Sequence, residues 1–323
     1  MKERVLEELD RAGGYVSGEA ISAKLQRSRT AVWQWISELR EAGYEIEASP
    51  RRGYRLLSRP DRLYPWEVQR HLKTELLGRE LEYAPQVGST NDVAKARAKE
   101  GAPEGLVVVA EEQLAGRGRR GRAWSSPFGL GVWSSTLLRP QITPFEAPQA
   151  ALLAALAVAR AIERCTSLSA EVKWPNDVLV QGKKVSGILV EMDAELERVR
   201  SLVVGIGINA NLPAEALPEE ARAFATSLLL ATGRPVDRAA LLARTLEELE
   251  RVYFAWREGG FLPLLEEVRG RMGMLGSKVT VSGQSGSWIG RAVDVGGDGA
   301  LLVERDGGEV VSVYAADVSV RAR

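Results

Sequence analysis

The chain has 323 residues, of which 45% are hydrophobic and 27% charged, the composition of an ordinary globular protein with room for two or three domains. Lys plus Arg number 43 and Asp plus Glu 43, so no global field draws the chain to nucleic acid or membrane, and any DNA contact must rest on a local patch. A single cysteine, Cys165, excludes an intrachain disulfide and a cysteine metal cage, and the single histidine, His71, is the only route to Ser-His or Cys-His catalysis. No apolar stretch is long and charge-free enough to span a bilayer, and MKERVLEELDRAGG lacks the apolar centre of a signal peptide; a cytoplasmic location is expected.

Residues 1–62 read as a winged helix-turn-helix. A first helix covers Glu3 to Ala12, with Val5, Leu6 and Leu9 on one face. Ser17 caps a short second helix through Lys24. Ser28 caps a third, which Gly43 ends, with Val32, Ile36 and Leu39 facing the core. Strands at Tyr44–Ala48 and Tyr54–Leu57 then flank the turn SPRRG as a wing. In such a domain the later helix enters the major groove and wing arginines meet phosphates. The candidate DNA contacts are Ser28, Arg29, Thr30 and Trp33 on that helix, with Arg51 and Arg52 on the wing. A small helical domain with a hairpin can equally bind protein, and Lys plus Arg exceed Asp plus Glu over these residues by only 12 to 10.

Residues 63–274 form a central domain. His71 lies in WEVQRHLKTELLG, which reads as an amphipathic helix, so a structural role is expected for it. Strands are expected at Leu106–Ala110, at Val172, at Val178–Val180, at Val185–Met192 and at Ser201–Ile208, with Gly182, Lys183 and Lys184 as a hairpin tip. Helices are expected at Phe145–Arg164, which would leave Cys165 an inert buried thiol, and at Ala239–Arg257 and Leu262–Gly270. Hairpins mixed with helices indicate an α+β fold. Over residues 275–323 the short runs Lys278–Val281, Trp288–Val295, Leu301–Val303, Val310–Tyr314 and Val318–Val320, separated by glycine-containing turns, suggest a small SH3-like β-barrel.

Two segments carry the chemistry. GRGRRGRAWSSPFG, Gly116 to Gly129, sets Arg117, Arg119, Arg120 and Arg122 among glycines ahead of Trp124. Four guanidiniums that close repel one another unless an anion lies among them, and glycines let backbone approach a ligand. The run reads as a loop that closes on a phosphate or carboxylate, against the alternative of a solvated basic arm. The second segment is KWPNDVLVQGKKVSGILVE, Lys173 to Glu191.

Together with GSTN at Gly88–Asn91 and GIGIN at Gly205–Asn209, these segments resemble biotin–protein ligases, in the long bacterial form that doubles as a biotin-operon repressor. The order and spacing match, and the resemblance covers essentially the whole chain. It implies a mixed central sheet packed on helices. It also implies a reaction in two steps: biotin and ATP form biotinyl-5′-AMP with Mg²⁺ sharing the phosphate charge, and a lysine of a biotin carboxyl carrier protein then takes the biotin. By the same resemblance, Ser89, Thr90, Asn91 and Gln113 hold the ureido ring. Arg117, Gly118, Arg119 and Arg122 enclose biotin and the adenylate phosphate, Arg120 faces solvent, and Trp124 packs on the biotin arm. Lys184 bridges carboxylate and α-phosphate, Lys183 points away, and Gly187 admits the biotin tail. Lys173 meets the entering ATP, Asn176 and Asp177 position metal, ribose or the incoming amine, and Asn209 reads adenine. No metal ligands are assigned. The catalytic set is Lys184, Arg119, Asp177 and Lys173. Hydroxyls and amides suit a neutral urea, and nucleotidyl transfer needs positioning and charge stabilisation more than a protein nucleophile. Ser89 also stands where it could cap the helix beginning at Asn91.

Three alternatives stay open: lipoate in place of biotin, a biotin-sensing transcription factor without useful turnover, and a ligase whose N-terminal domain no longer binds DNA. Trp33 and Trp35 keep the last open, because members of the family commonly carry short polar or basic residues there. A ligand-promoted homodimer on palindromic operator DNA, with no membrane partner, is the expected assembly.

Overall fold

The computed structural model describes residues 1–283, 286–314 and 317–320. Two units divide the chain, Met1–Arg62 and Leu63–Arg323.

In the first unit, serine caps set where helices begin. Helix α1 spans Lys2–Ala12, α2 Gly18–Leu25 and α3 Arg29–Glu41. The Ser17 hydroxyl accepts from the Ala20 N–H at 3.0 Å, and Ser28 from Ala31 at 3.1 Å, each satisfying a backbone donor the helix cannot. Val5, Leu9, Ile21, Val32, Ile36 and Leu39 are buried between the three helices. Strands β1 (Glu45–Ser49) and β2 (Gly53–Ser58) pair antiparallel as the wing.

The second unit is built on a seven-stranded sheet. Its elements run α4 (Pro65–Gln69), β3 (Leu81–Ala84), α5 (Thr90–Lys99), β4 (Val107–Ala110), β5 (Val132–Leu138), α6 (Gln149–Cys165), β6 (Ala170–Lys173), β7 (Asp177–Val180), β8 (Lys183–Ala194) and β9 (Val199–Ile208). Helices α7 (Leu228–Thr232), α8 (Arg238–Gly259) and α9 (Leu262–Gly270) follow. The strand order is β3-β4-β5-β9-β8-β7-β6. The β3–β4 pair is parallel and the other pairs antiparallel, so the sheet is mixed and the fold is α+β. Side-chain alternation splits the sheet into two faces. Val107, Val109, Val204, Ile206 and Ile208 join α6 and α8 in the main core. Val108, Leu137 and Val203 face the other way and pack under α5 with Ala94.

Strands β10 (Lys278–Gly283), β11 (Gly286–Val295), β12 (Leu301–Glu304), β13 (Val310–Val313) and β14 (Asp317–Val320) make an antiparallel sheet in the order β13-β12-β11-β10-β14. Its buried face, including Val279, Val281, Val295 and Leu301, merges with the main core, and the Trp174 indole N–H donates to the Gly299 carbonyl at 3.0 Å. These contacts place the C-terminal sheet and the central sheet in one unit.

Several boundaries differ from expectation. Helix α6 starts at Gln149, not Phe145: Glu146 folds back onto the N–H and hydroxyl of Thr143, Pro148 takes the N-cap, and Phe145 is left 89% exposed. His71 is not helical. Helix α4 stops at Gln69, and buried Glu250 of α8 instead accepts the N–H groups of Glu75, Leu76 and Leu77. Strand β5 was not expected, because WSST reads as polar, yet every residue from Val132 to Leu138 is buried. Lys183 and Lys184 open β8; the tight turn before them is Gln181–Gly182, with φ of 52° and 74°. Among the described residues, no helix is long and apolar enough to cross a membrane.

Candidate active site

A cleft of about 670 Å³ opens on the α5 face of the central sheet. Its floor follows from register. Gly187 on β8 pairs with Gly207 on β9, Leu189 with Gly205, and Ser135 of β5 lies opposite Gly205. Alternation turns Gly205 and Gly207 to the cleft and Ile206 and Ile208 to the core, which explains why glycine recurs every second residue in GIGIN. A Cβ on Gly205 would lie 2.2 Å from Asn91 Oδ1, and one on Gly207 would lie 2.6 Å from Trp124 Nε1. The glycines therefore let an amide and an indole rest directly on the sheet.

At one end, Ser89, Thr90 and Asn91 open α5 and are all buried. Ser89 stands at the N-cap but makes no side-chain cap bond, and it lines the cleft. Thr90 donates its N–H (2.9 Å) and hydroxyl (3.0 Å) to Gln113 Oε1, and Gln113 Nε2 donates to Ser126 Oγ at 2.9 Å. The Asn91 amide is committed within the protein. Nδ2 donates to Glu191 at 2.7 Å and to the Leu189 carbonyl at 3.3 Å, and Oδ1 accepts from Ser135 at 2.6 Å. Asn91 lines the cleft beside Thr90, and these bonds fix its amide against the sheet.

The arginine run is a small hairpin closed at its base. Trp124 N–H donates to the Gly116 carbonyl and Gly118 N–H to that of Arg122, both at 2.8 Å, and Arg119–Gly121 form one tight 3-10 turn. Gly118, Arg119 and Arg122 line the cleft, while Arg120 is exposed and reaches the Ser282 carbonyl at 3.5 Å. Arg117 also lines the cleft, but its guanidinium bonds Asp92 at 2.6 and 2.7 Å and Glu191 at 3.1 and 3.2 Å. For this arginine the expected anions are carboxylates of the protein, Asp92 and Glu191. The Arg117 bond holds the Asp92 carboxyl down at about 2, against some desolvation.

At the other end, Lys184 Nζ meets Asp177 Oδ1 at 2.7 Å and lies 5.1 Å from the centre of the Trp124 ring. The β7–β8 pairing shifts register between Val178 and Leu179. This shift lets Lys184 and Gly187, three residues apart, share the cleft face while Lys183 is exposed. The Lys184 backbone is fixed on both sides, its N–H donating to the Phe224 carbonyl and its carbonyl accepting from Thr226, each at 2.8 Å. Lys173, Asn176 and Asn209 complete the lining; Asn176 Nδ2 donates to the Ile188 carbonyl at 2.6 Å and Asn209 Nδ2 to that of Thr226 at 3.0 Å. Trp174 is buried. Among the described residues no three His, Cys, Asp or Glu side chains converge as a metal cage. Asp177 and Glu220 are the carboxylates lining the cleft.

His71 is absent from the cleft and lines a separate cavity with Arg164 and Arg244. Cys165 is half-buried, and desolvation raises its thiol pKa, keeping it protonated and inert.

In the N-terminal unit, Ser28, Arg29, Thr30 and Trp33 lie exposed along the start of α3, Trp33 at 60%, while Trp35 is half-buried. Arg51 and Arg52 are exposed on the wing. The Arg52 guanidinium stacks 3.9 Å from the centre of the Tyr15 ring, which fixes its direction.

Sequence reasoning missed Ser135, Asp92, Glu191, Gly205 and Gly207. The alternate glycines of GIGIN were the readable signal; the other three need the register between strands.

Comparison with known proteins gives three matched segments. Residues 83–209 match the biotin/lipoate A/B protein ligase family, residues 2–55 an HTH domain and residues 274–321 the biotin protein ligase C-terminal domain. The chain is 41% identical to the bifunctional ligase/repressor BirA of Bacillus subtilis (strain 168), covering 99% of this chain and 98% of that protein. It is 30% identical to the protein of the same name from Escherichia coli (strain K12), covering 91% and 90%. Among solved structures, the biotin protein ligase from Aquifex aeolicus in complex with biotin and ATP superposes with a TM-score of 0.65 and 31% identity, covering 76% of this chain and 100% of that one.

Proposed function

The chain belongs to the biotin–protein ligase family, in the form that carries a repressor's helix-turn-helix, and we propose that one cleft, on its central sheet, performs both half-reactions. It is an ATP-dependent ligase: the biotin carboxylate attacks the α-phosphate of ATP, pyrophosphate leaves, and biotinyl-5′-AMP gives its biotin to an acceptor lysine. The observation that carries the residue assignment is the convergence of a neutral polar pocket, an arginine hairpin and a lysine on one glycine floor.

Thr90, held by Gln113 and Ser135, and Ser89 present hydroxyls to the ureido ring. Trp124 walls the biotin arm. Arg119 and Arg122 offset the repulsion between carboxylate and triphosphate. Lys184 leaves Asp177 to bridge carboxylate and α-phosphate, its backbone held on both sides while the side chain turns. Asp177, then unpaired, is placed to take the proton of the attacking lysine in the second step. Lys173 and Asn176 meet the ATP phosphates and ribose, and Asn209 the adenine. Among the described residues the carboxylates lining the cleft, Asp177 and Glu220, would hold a Mg²⁺ together with the ATP phosphates, and such an ion would neutralise phosphate charge.

The acceptor is a biotin carboxyl carrier protein, and the exposed face of α3 with the wing arginines reads operator DNA. One helix-turn-helix per chain favours a homodimer on a palindrome, promoted by the adenylate. A cytoplasmic location fits both roles. ATP–pyrophosphate exchange with biotin, and with lipoate as control, tests the reading. Exchange that depends on biotin supports it, and exchange with lipoate alone would replace the substrate.

A further inference from the structure

Arg117 is gripped by two elements that the arginine hairpin itself does not include. Asp92 lies in the first turn of α5 and takes both ends of the guanidinium; Glu191 reaches it from β8. Lys95, one turn along α5, ties the two carboxylates together, with Nζ 2.8 Å from Glu191 and 3.1 Å from Asp92. Two cations thus balance two anions, so this corner holds no surplus positive charge for a substrate. Glu191 also accepts from Asn91, which joins the corner to the Thr90–Ser135 pocket. Arg117 sits where the hairpin begins, paired in backbone register with Ala123, and the ligand-facing Arg119 and Arg122 lie beyond it.

We propose that Asp92 and Glu191 are positioning residues for the ligase reaction: they fix Arg117 as the foot of the arginine hairpin, from which Arg119 and Arg122 close over the anionic substrates. The inference rests on the cleft assignment above. It reassigns Arg117 from ligand contact to anchor. A bidentate pair with a carboxylate gives geometric definition as well as attraction, which a foot requires. Holding one end of the hairpin lowers the ordering cost that closure imposes on the rest. Glu191 makes the foot responsive to the pocket, because the carboxylate that holds Arg117 also holds the Asn91 amide beneath bound biotin.

The test uses full-length wild-type protein and the variants Asp92→Asn, Asp92→Glu and Glu191→Gln in two assays. In ATP–pyrophosphate exchange, Asp92→Asn and Glu191→Gln are expected to raise the biotin KM about tenfold with kcat within about threefold, while Asp92→Glu stays near wild type. In limited trypsin digestion without ligands, cleavage within the hairpin is expected to quicken by about the same factor in the two amide variants and not in Asp92→Glu. Unchanged KM and unchanged cleavage in the amide variants would overturn the proposal, as would a fall in kcat with KM unchanged, which would make these residues chemical rather than positioning. Wild-type protein without biotin-dependent exchange would defeat the cleft assignment instead, and the trypsin comparison would still decide the anchor.

Discussion

Gly205→Ala is the sharpest probe of the floor. Its added methyl would stand 2.2 Å from Asn91 Oδ1 and 2.9 Å from Cγ. Restoring ordinary contact requires the Asn91 amide to retreat by roughly 1 Å in a close-packed site. The amide has nowhere to go without cost, because Ser135 holds Oδ1 at 2.6 Å and Glu191 holds Nδ2 at 2.7 Å. Overpacking of this kind costs about 1–3 kcal/mol in stability. A displacement of about 1 Å beside the ureido pocket also costs about 10²-fold in kcat/KM for biotin. Gly270→Ala is the control, since a Cβ there meets nothing within 4 Å. Steady-state exchange at varied biotin, alongside thermal melting, reads both effects. Wild-type kinetics in Gly205→Ala would mean that Asn91 and its partners do not shape the biotin pocket, and the floor argument would fail.

Lys184→Ala should lower the rate of adenylate formation by about 10²–10³-fold and Lys183→Ala leave it within about twofold, read by single-turnover quench; equal losses would mean that the register shift does not separate the two side chains. The Asp92–Arg117 bond depends on pH with a definite sign. Because the folded Asp92 carboxyl sits at about 2, below its ordinary 3.8, its stabilising contribution is complete above the ordinary value and is lost as pH falls through about 2. NMR of the Arg117 side-chain N–H should therefore show no titration from pH 7 to about 4, and a midpoint near 4 would contradict the bond. On the operator, Trp33→Ala should weaken binding by about 1–3 kcal/mol without changing its salt dependence, whereas Arg51→Ala should reduce the salt slope by about one; filter binding across a salt series separates them.

The sequence made legible what depends on local periodicity and on spacing along the chain. Serine caps at Ser17 and Ser28, the apolar stripe of α3, the hairpin at Gly182 and the ordered glycine-rich motifs were all readable in that way. What it hid depends on partners distant in sequence. Strand β5 looks polar because of Ser134, Ser135 and Thr136, and only neighbours distant in sequence bury them. The fate of Arg117 was invisible because Asp92 and Glu191 are 25 and 74 residues away. GSTN placed Asn91 at the site, but its bonds to Ser135 and Glu191 depend on the cross-strand register, which the motif alone does not show. The boundary of α6 failed for a local reason: apolar periodicity extended through Phe145, while Pro148 set the true start.

The most direct test of a single cleft serving both half-reactions is retention of the intermediate. Full-length protein is mixed with biotin and ATP labelled at the α-phosphate, passed rapidly through a desalting column, and then given carrier protein. The account predicts that labelled biotinyl-5′-AMP stays with the protein at close to one per chain, and that adding the carrier releases AMP as biotin appears on the carrier lysine. Label that never stays with the protein, or retained adenylate that the carrier cannot discharge, would contradict it.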